Sequence, residues 1–197
     1  MKSHKVIFLA ISLALQGCGT PDTSSPSPSS IYIPCHSNVS IDNPPQVIFG
    51  DSITCRWPIS ILPAGTENAG IDGNTTTQMM ERFSRDILDY HPKTLVILGG
   101  VNDLVQGIPP EIIINNLLAM ANIAKDNGIR IILATIPAIK VLPVEGVNIL
   151  IRQSNFEFVD YYKVTLDHPE FFIADGIHPS IAGYIAMEEA LISILQY

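Results

Sequence analysis

The residues in this sequence best suited to chemistry are a serine, a histidine and an aspartate far apart along the chain. Ser52 closes the run Val47-Ile48-Phe49-Gly50-Asp51-Ser52, where an apolar stretch ends in Gly-Asp-Ser and helix-compatible residues follow. A buried strand that delivers a serine to the start of a helix presents a nucleophile, but the hydroxyl reacts poorly until a base takes its proton. Histidine is the side chain with suitable basicity near neutral pH. Of the five histidines, His4 falls in an apolar leader, His36 in a proline-containing lead-in, and His91 and His168 each precede a proline in surface-type turns. His178 stands in Asp175-Gly176-Ile177-His178-Pro179. Three-residue spacing across a turn lets the Asp175 carboxylate reach one imidazole nitrogen and leaves the other for Ser52. Taken alone, Asp-x-x-His is also the pattern of an ordinary turn fixed by its aspartate.

Attack on a carbonyl creates an oxyanion, which needs donors already aimed at it. The backbone N–H of Ser52, in the first turn of a helix, is one candidate. A second is the N–H of Gly73 in Asn68-Ala69-Gly70-Ile71-Asp72-Gly73-Asn74-Thr75, with Gly70 as its competitor in the same loop. A third is the side-chain amide of Asn102 in Gly99-Gly100-Val101-Asn102-Asp103. Glycines and Asn-Asp pairs also serve plain turns. Asp51 and Asp103 flank these positions and read as loop-fixing, and Asp160 reads as structural. No Cys/His cluster has metal-ligand spacing and no glycine-rich phosphate loop is present, so neither a metal nor another cofactor is expected.

The elements that must position these residues alternate in type. Runs at 47–49, 94–98, 129–134 and 156–159 read as strands, and the short Glu67-Asn68-Ala69 could be a further one. Helices are expected over 75–90, with Met79, Phe83, Ile87 and Tyr90 on one face and Asn74, Thr75 or Thr76 as cap, and over 110–126, 147–153 and 180–195. The last carries a stripe of Ile181, Tyr184, Ile185, Leu191, Ile192 and Leu195, interrupted by Glu188, where Met187 can take over the contact. Strand-helix alternation with apolar strands implies an α/β fold with a parallel sheet covered on both faces. Sites in such sheets form beyond the carboxyl ends of the strands, where Ser52, Gly73, Asn102 and the Asp175–His178 turn would all lie.

The 197 residues suffice for one domain with a full core. A formal net charge of -8 and the lack of a Lys/Arg cluster argue against a nucleic-acid groove. Lys2 and Lys5 precede an apolar run over 6–15 that is too short to span a bilayer. Its end, Leu15-Gln16-Gly17-Cys18, resembles a bacterial lipoprotein signal, which implies a signal peptide over 1–17 and lipidation of Cys18; an ordinary secretory signal cut nearby is the alternative. Gly19 after the cysteine leans toward outer-membrane sorting under the same resemblance. Residues 18–45 read as a Ser/Pro-rich tether and lead-in, because Pro34, Pro44 and Pro45 exclude a central strand. Cys35 and Cys55 could pair in an oxidising compartment, contributing roughly 3 kcal/mol, or be two buried thiols.

In order and spacing, Gly-Asp-Ser, Gly73, Gly-x-Asn-Asp and Asp-x-x-His-Pro resemble the four blocks of the SGNH hydrolases, also called the GDSL esterase/lipase family, over residues 46–197. The resemblance implies a flavodoxin-like three-layer α/β/α sandwich with a five-stranded parallel sheet. It implies Ser52 as nucleophile, His178 as base and Asp175 as its partner, with Ser52, Gly73 and Asn102 forming the oxyanion hole. Aligning Gly-x-Thr with the family favours Gly73 over Gly70; Asn74 departs from the aspartate that many relatives carry. The implied activity is hydrolysis of carboxylic esters through an acyl-enzyme, of the lysophospholipase or short-chain acyl esterase type. A carbohydrate O-acetyl esterase and a catalytically silent envelope lipoprotein are the alternatives. The expected partners are a small-molecule, lipid or glycan ester and a membrane held through the lipid anchor, in a bacterial cell envelope. Ile136, Ile139, Val141, Leu142 and Val144 could line an acyl pocket or could be core.

Overall fold

The strands that carry the candidate residues lie at the centre of the sheet. The computed structural model describes residues 43–196, so the expected leader, Cys18, the tether and Cys35 lie outside the described residues. β1 (Gln46–Gly50), β2 (Thr66–Gly70), β3 (Thr94–Leu98), β4 (Arg130–Ala134) and β5 (Glu157–Val159) form one sheet in the order β2-β1-β3-β4-β5. Every pairing is parallel. β1 and β3 are buried along their whole length, as apolar strands covered on both faces must be.

Helices supply the cover. They are α1 (Ser52–Cys55), α2 (Thr76–Asp86), α3 (Val101–Val105), α4 (Pro110–Asp126), α5 (Glu145–Arg152), α6 (Tyr161–Thr165) and α7 (Ile181–Leu195). α4 packs against both α2 and α5, while α7 packs against α6 and β5. Tyr184 of α7 donates its hydroxyl to the Ile53 carbonyl of α1 at 2.9 Å, which ties these two helices together. The chain moves from β1 outward to β2, then returns to β3 on the other side of β1. A crevice therefore opens beyond the carboxyl ends of β1 and β3, the switch point of the sheet.

Several elements differ from the sequence expectation for identifiable reasons. The helix expected over 75–90 ends at Asp86, and a separate 3-10 turn covers Leu88–Tyr90. His91 precedes a proline, which disfavours helical backbone, and takes φ 49° instead. At the other end Thr75 is the cap: it accepts from Gln78 N–H while the Gln78 side chain accepts from Thr75 N–H. In α7 the buried stripe is Tyr184, Met187 and Leu191, so Met187 does carry the contact. Ile181 and Ile185 are 59% and 42% exposed, contrary to expectation. α7 is instead rolled toward Gly183, where a Cβ would fall on the Phe171 carbonyl. α3 and α6 were not expected, since five residues are too few to establish a helical period. Cys55 is disulfide-bonded, and Cys35, its expected partner, lies outside the described residues.

The turn between β1 and α1 buries an acid. Asp51 caps α1 by accepting the Ile53 N–H on Oδ1 at 3.0 Å, while Oδ2 is buried without a partner. Burial pushes the carboxyl up to about 7; the Ile53 N–H pulls the other way and the Asp103 carboxylate adds to the rise. From its ordinary value of 3.8 up to about 7 the folded chain keeps a proton that the unfolded chain has shed, so stability falls as pH rises through that window. Asp51→Asn keeps an oxygen for Ile53 and removes the charge. Above pH 7 it should be more stable than the parent by on the order of 2 kcal/mol, with no such slope at lower pH. Urea midpoints of both proteins from about pH 4 to 8 test this, and parallel curves would clear Asp51 of the effect.

Candidate active site

Ser52 owes its position to a glycine and a cap. A Cβ on Gly50 would fall on the Leu98 carbonyl and on the Thr54 hydroxyl, so only glycine lets the ends of β1 and β3 and the start of α1 close together. Asp51 then turns the chain, and Ser52 becomes the first residue of α1, 6% exposed. Its N–H lies in the first helical turn, where backbone donors have no intrahelical acceptor.

His178 and Asp175 come from a short hairpin. Phe172 and Pro179 form an antiparallel bridge, and Ile173 N–H donates to the His178 carbonyl at 2.9 Å. Asp175 Oδ1 accepts the N–H groups of Ile177 and His178, each at 2.9 Å. Its Oδ2 lies 2.7 Å from His178 Nδ1, and His178 Nε2 lies 2.9 Å from Ser52 Oγ. With the Nδ1 proton directed to the carboxylate, Nε2 is left to accept the Ser52 hydroxyl. Burial raises the Asp175 carboxyl, but the His178 N–H, its imidazole and the Ile177 N–H outweigh that and bring it down to about 2. Asp175 therefore stays ionised throughout the range in which an imidazole changes charge.

The other candidate donors, Gly73 and Asn102, lie just after β2 and β3. Gly73 has φ +77°, a conformation that favours glycine, and no atom lies within 4 Å of where its Cβ would be. Gly70 N–H is already given to Asn68 Oδ1 at 2.9 Å, and a Cβ there would fall on the backbone of Cys55. Of the two glycines, Gly73 is thus the one facing open space. Asn102 Nδ2 donates one proton to the Asn74 carbonyl at 2.9 Å, which leaves the second amide proton for another acceptor. Asp103 accepts from Thr76 N–H at 2.8 Å and Thr76 Oγ1 at 2.6 Å, so it fixes the turn after β3 to the start of α2.

Asp160 is structural, as expected: it caps α6 through Lys163 N–H and pairs with Arg152 and the Thr135 hydroxyl. Of the five apolar residues considered for a pocket, Ile136, Ile139 and Val144 are buried in the core. Val141 is 68% exposed and lines a cavity of about 150 Å³ together with Ala138, Phe172, Ile173 and Gly176. Leu142, with Ile139 and Val144, lines a second cavity of about 200 Å³ beside Tyr162 and Leu166. The sequence reading missed Asn148, whose side chain accepts from Ile136 N–H and donates to the Ile136 carbonyl, clamping the loop after β4. An asparagine on the apolar face of a short helix was the available signal.

The GDSL-like lipase/acylhydrolase family model matches residues 48–186, more than half of the chain. An arylesterase of Vibrio mimicus is 28% identical over 194 aligned positions, covering 78% of this chain and 92% of that protein. The crystal structure of a GDSL-like lipase from Bacteroides thetaiotaomicron superposes with a TM-score of 0.68 at 27% identity, covering 77% of this chain and 88% of that one. A lipoprotein of Bacillus subtilis, YqeF, is 40% identical over 80 residues, 37% of this chain and 33% of that one.

If the Asn102 amide serves a developing oxyanion, Asn102→Ala should cost roughly 10²–10³ in kcat on a model ester. Asp175→Asn should cost roughly 10⁴, because an amide can donate to Nδ1 and so favours the tautomer whose Nε2 already carries a proton. Steady-state kinetics check both, and an unchanged kcat removes the residue concerned from the site.

Proposed function

We propose that this chain, which belongs to the GDSL-like lipase/acylhydrolase family and is a carboxylic ester hydrolase, works through an acyl-enzyme on Ser52 and prefers short-chain or aryl esters. The observation that carries the reading is the continuous contact Asp175–His178–Ser52, at 2.7 and 2.9 Å, between segments 126 residues apart. His178 Nε2 takes the Ser52 proton as Oγ attacks the ester carbonyl carbon. Asp175 holds the imidazole in the required tautomer and stabilises the imidazolium that forms. The N–H groups of Ser52 and Gly73 and the free amide proton of Asn102 receive the oxyanion. As the tetrahedral intermediate collapses, His178 returns its proton to the leaving alkoxide, and the alcohol departs. Water then attacks the acyl-enzyme, giving a proton to His178. As the second tetrahedral intermediate collapses, His178 returns that proton to Ser52 Oγ and the carboxylic acid leaves.

The substrate preference rests on size. A cavity of about 150 Å³ borders the hairpin that carries Asp175 and His178 and is of the scale that holds one benzene-sized group, which favours a small acyl or aryl moiety. The arylesterase likeness points the same way. An acetyl group would also fit, so a carbohydrate O-acetyl ester is the second reading. For location, the apolar leader ending at Cys18 and the likeness to a lipoprotein support a lipid-anchored place in a bacterial envelope.

Phenyl and p-nitrophenyl acetate and butyrate should be turned over with higher kcat/KM than the laurate or palmitate esters; a rise of kcat/KM with chain length would refute the size argument. Ser52→Ala should abolish turnover and labelling by a serine-reactive phosphonate. Labelling that persists in this variant would place the nucleophile elsewhere, and an inert parent chain would leave the silent-lipoprotein alternative.

A further inference from the structure

Arg82 is a buried cation that the catalytic steps above do not use. It is 6% exposed, lies in the middle of α2, and stacks its guanidinium over the Phe49 ring at 4.2 Å. Its Nη2 donates to the Gly50 carbonyl at 2.8 Å, two residues before Ser52. Its Nη1 donates to the Ala69 carbonyl near the end of β2 and to Asp86 Oδ2, both at 3.0 Å. Its Nε donates to Asn74 Oδ1 at 2.7 Å. Asn74 follows Gly73, and its own carbonyl holds the Asn102 amide.

We infer that Arg82 is the positioning residue of the oxyanion hole, setting the three donors against one another through Gly50 and Asn74. The inference rests on the esterase reading of the site. Each donor sits on a separate segment: Ser52 after β1, Gly73 after β2 and Asn102 after β3. Past the paired strands the first two segments are joined by the Ile71 N–H to the Gly50 carbonyl and by the exposed Arg56–Asp72 pair. The Arg82 guanidinium adds the buried link, since its rigid planar fork reaches a carbonyl of each strand and the Asn74 side chain together. The link passes on through Asn74 to Asn102, so the amide that would receive the oxyanion is aimed by an arginine it does not touch. Asn74 has a further consequence here. With an amide in place of a carboxylate at this position, the charge of Arg82 is met by Asp86 one turn along α2, on the side away from the Gly73 turn. The turn beside the oxyanion site thus gains an acceptor for Arg82 without gaining a negative charge that would oppose the oxyanion.

A lysine is a point charge and cannot reproduce the fork. With a p-nitrophenyl ester, Arg82→Lys should lower kcat about 10- to 100-fold with KM changed less than about threefold, as displaced transition-state donors require. Asn74→Ala removes the acceptor of Nε but keeps the backbone carbonyl; it should lower kcat about tenfold, and it carries the test if Arg82→Lys does not fold. The readout that a merely structural arginine would not move is coupling to Asn102. In the Asn102→Ala background, either substitution should lower kcat by a factor at least about fivefold smaller than in the parent. Effects that simply multiply, or a fall in melting temperature with kcat unchanged, would overturn the role of Arg82 while leaving the esterase reading intact. A parent chain that hydrolyses no ester would overturn both.

Discussion

The missing side chain of Gly50 is the constraint on which the site depends. Any Cβ there would collide with the Leu98 carbonyl of β3 and with Thr54 in α1. Its absence lets a fully buried central strand run straight into a helix whose first residue is Ser52. The closeness also leaves the Gly50 carbonyl within reach of both the Ile71 N–H and Arg82. A single backbone position thus links sheet packing, the turn that presents Ser52 and the support of the opposite wall.

The carboxyl edge of the sheet gathers polar groups that would be costly to bury alone, and most of them are engaged with backbone. Asp103 anchors α2, Asn68 donates to the Thr54 carbonyl, and Asn148 clamps Ile136. Each fixes one loop against its neighbour, so loops that would otherwise move are held by the rigid sheet beneath. Asp51 and Thr54 are exceptions. Asp51 Oδ2 and Thr54 Oγ1 are both buried without a partner, which makes the turn that presents Ser52 a place where the fold tolerates an unfavourable burial.

Much of this was legible in the sequence. β3 and α4 fall where their apolar run and their Pro-first, Gly-after pattern place them. The residues of the four blocks, though scattered over most of the chain, meet at one edge because every parallel strand delivers its following loop there. What the sequence hid depends on tertiary contact. The sequence already favours Gly73 over Gly70, but the engagement of the Gly70 N–H by the Asn68 side chain is something no local pattern reports. The roll of α7 follows from the close approach of Phe171 to Gly183, so Ile181 and Ile185 look like core in the sequence and are surface in the fold. The role of Asn74 is carried by its carbonyl as well as its side chain, and every residue has a carbonyl.

Ser52 and His178 belong to regions of different cohesion. Ser52 is set in the buried centre of the sheet, whereas His178 and Asp175 ride on a hairpin closed by one antiparallel bridge, with Asp175 exposed at its tip. Local opening of such a hairpin costs less free energy than global unfolding. Mild denaturant or heat is therefore expected to part His178 from Ser52 while the sheet is still intact, so that activity, on the proposed reading, fades before the fold does. The enzyme would then have a reversible off state that belongs to the hairpin alone.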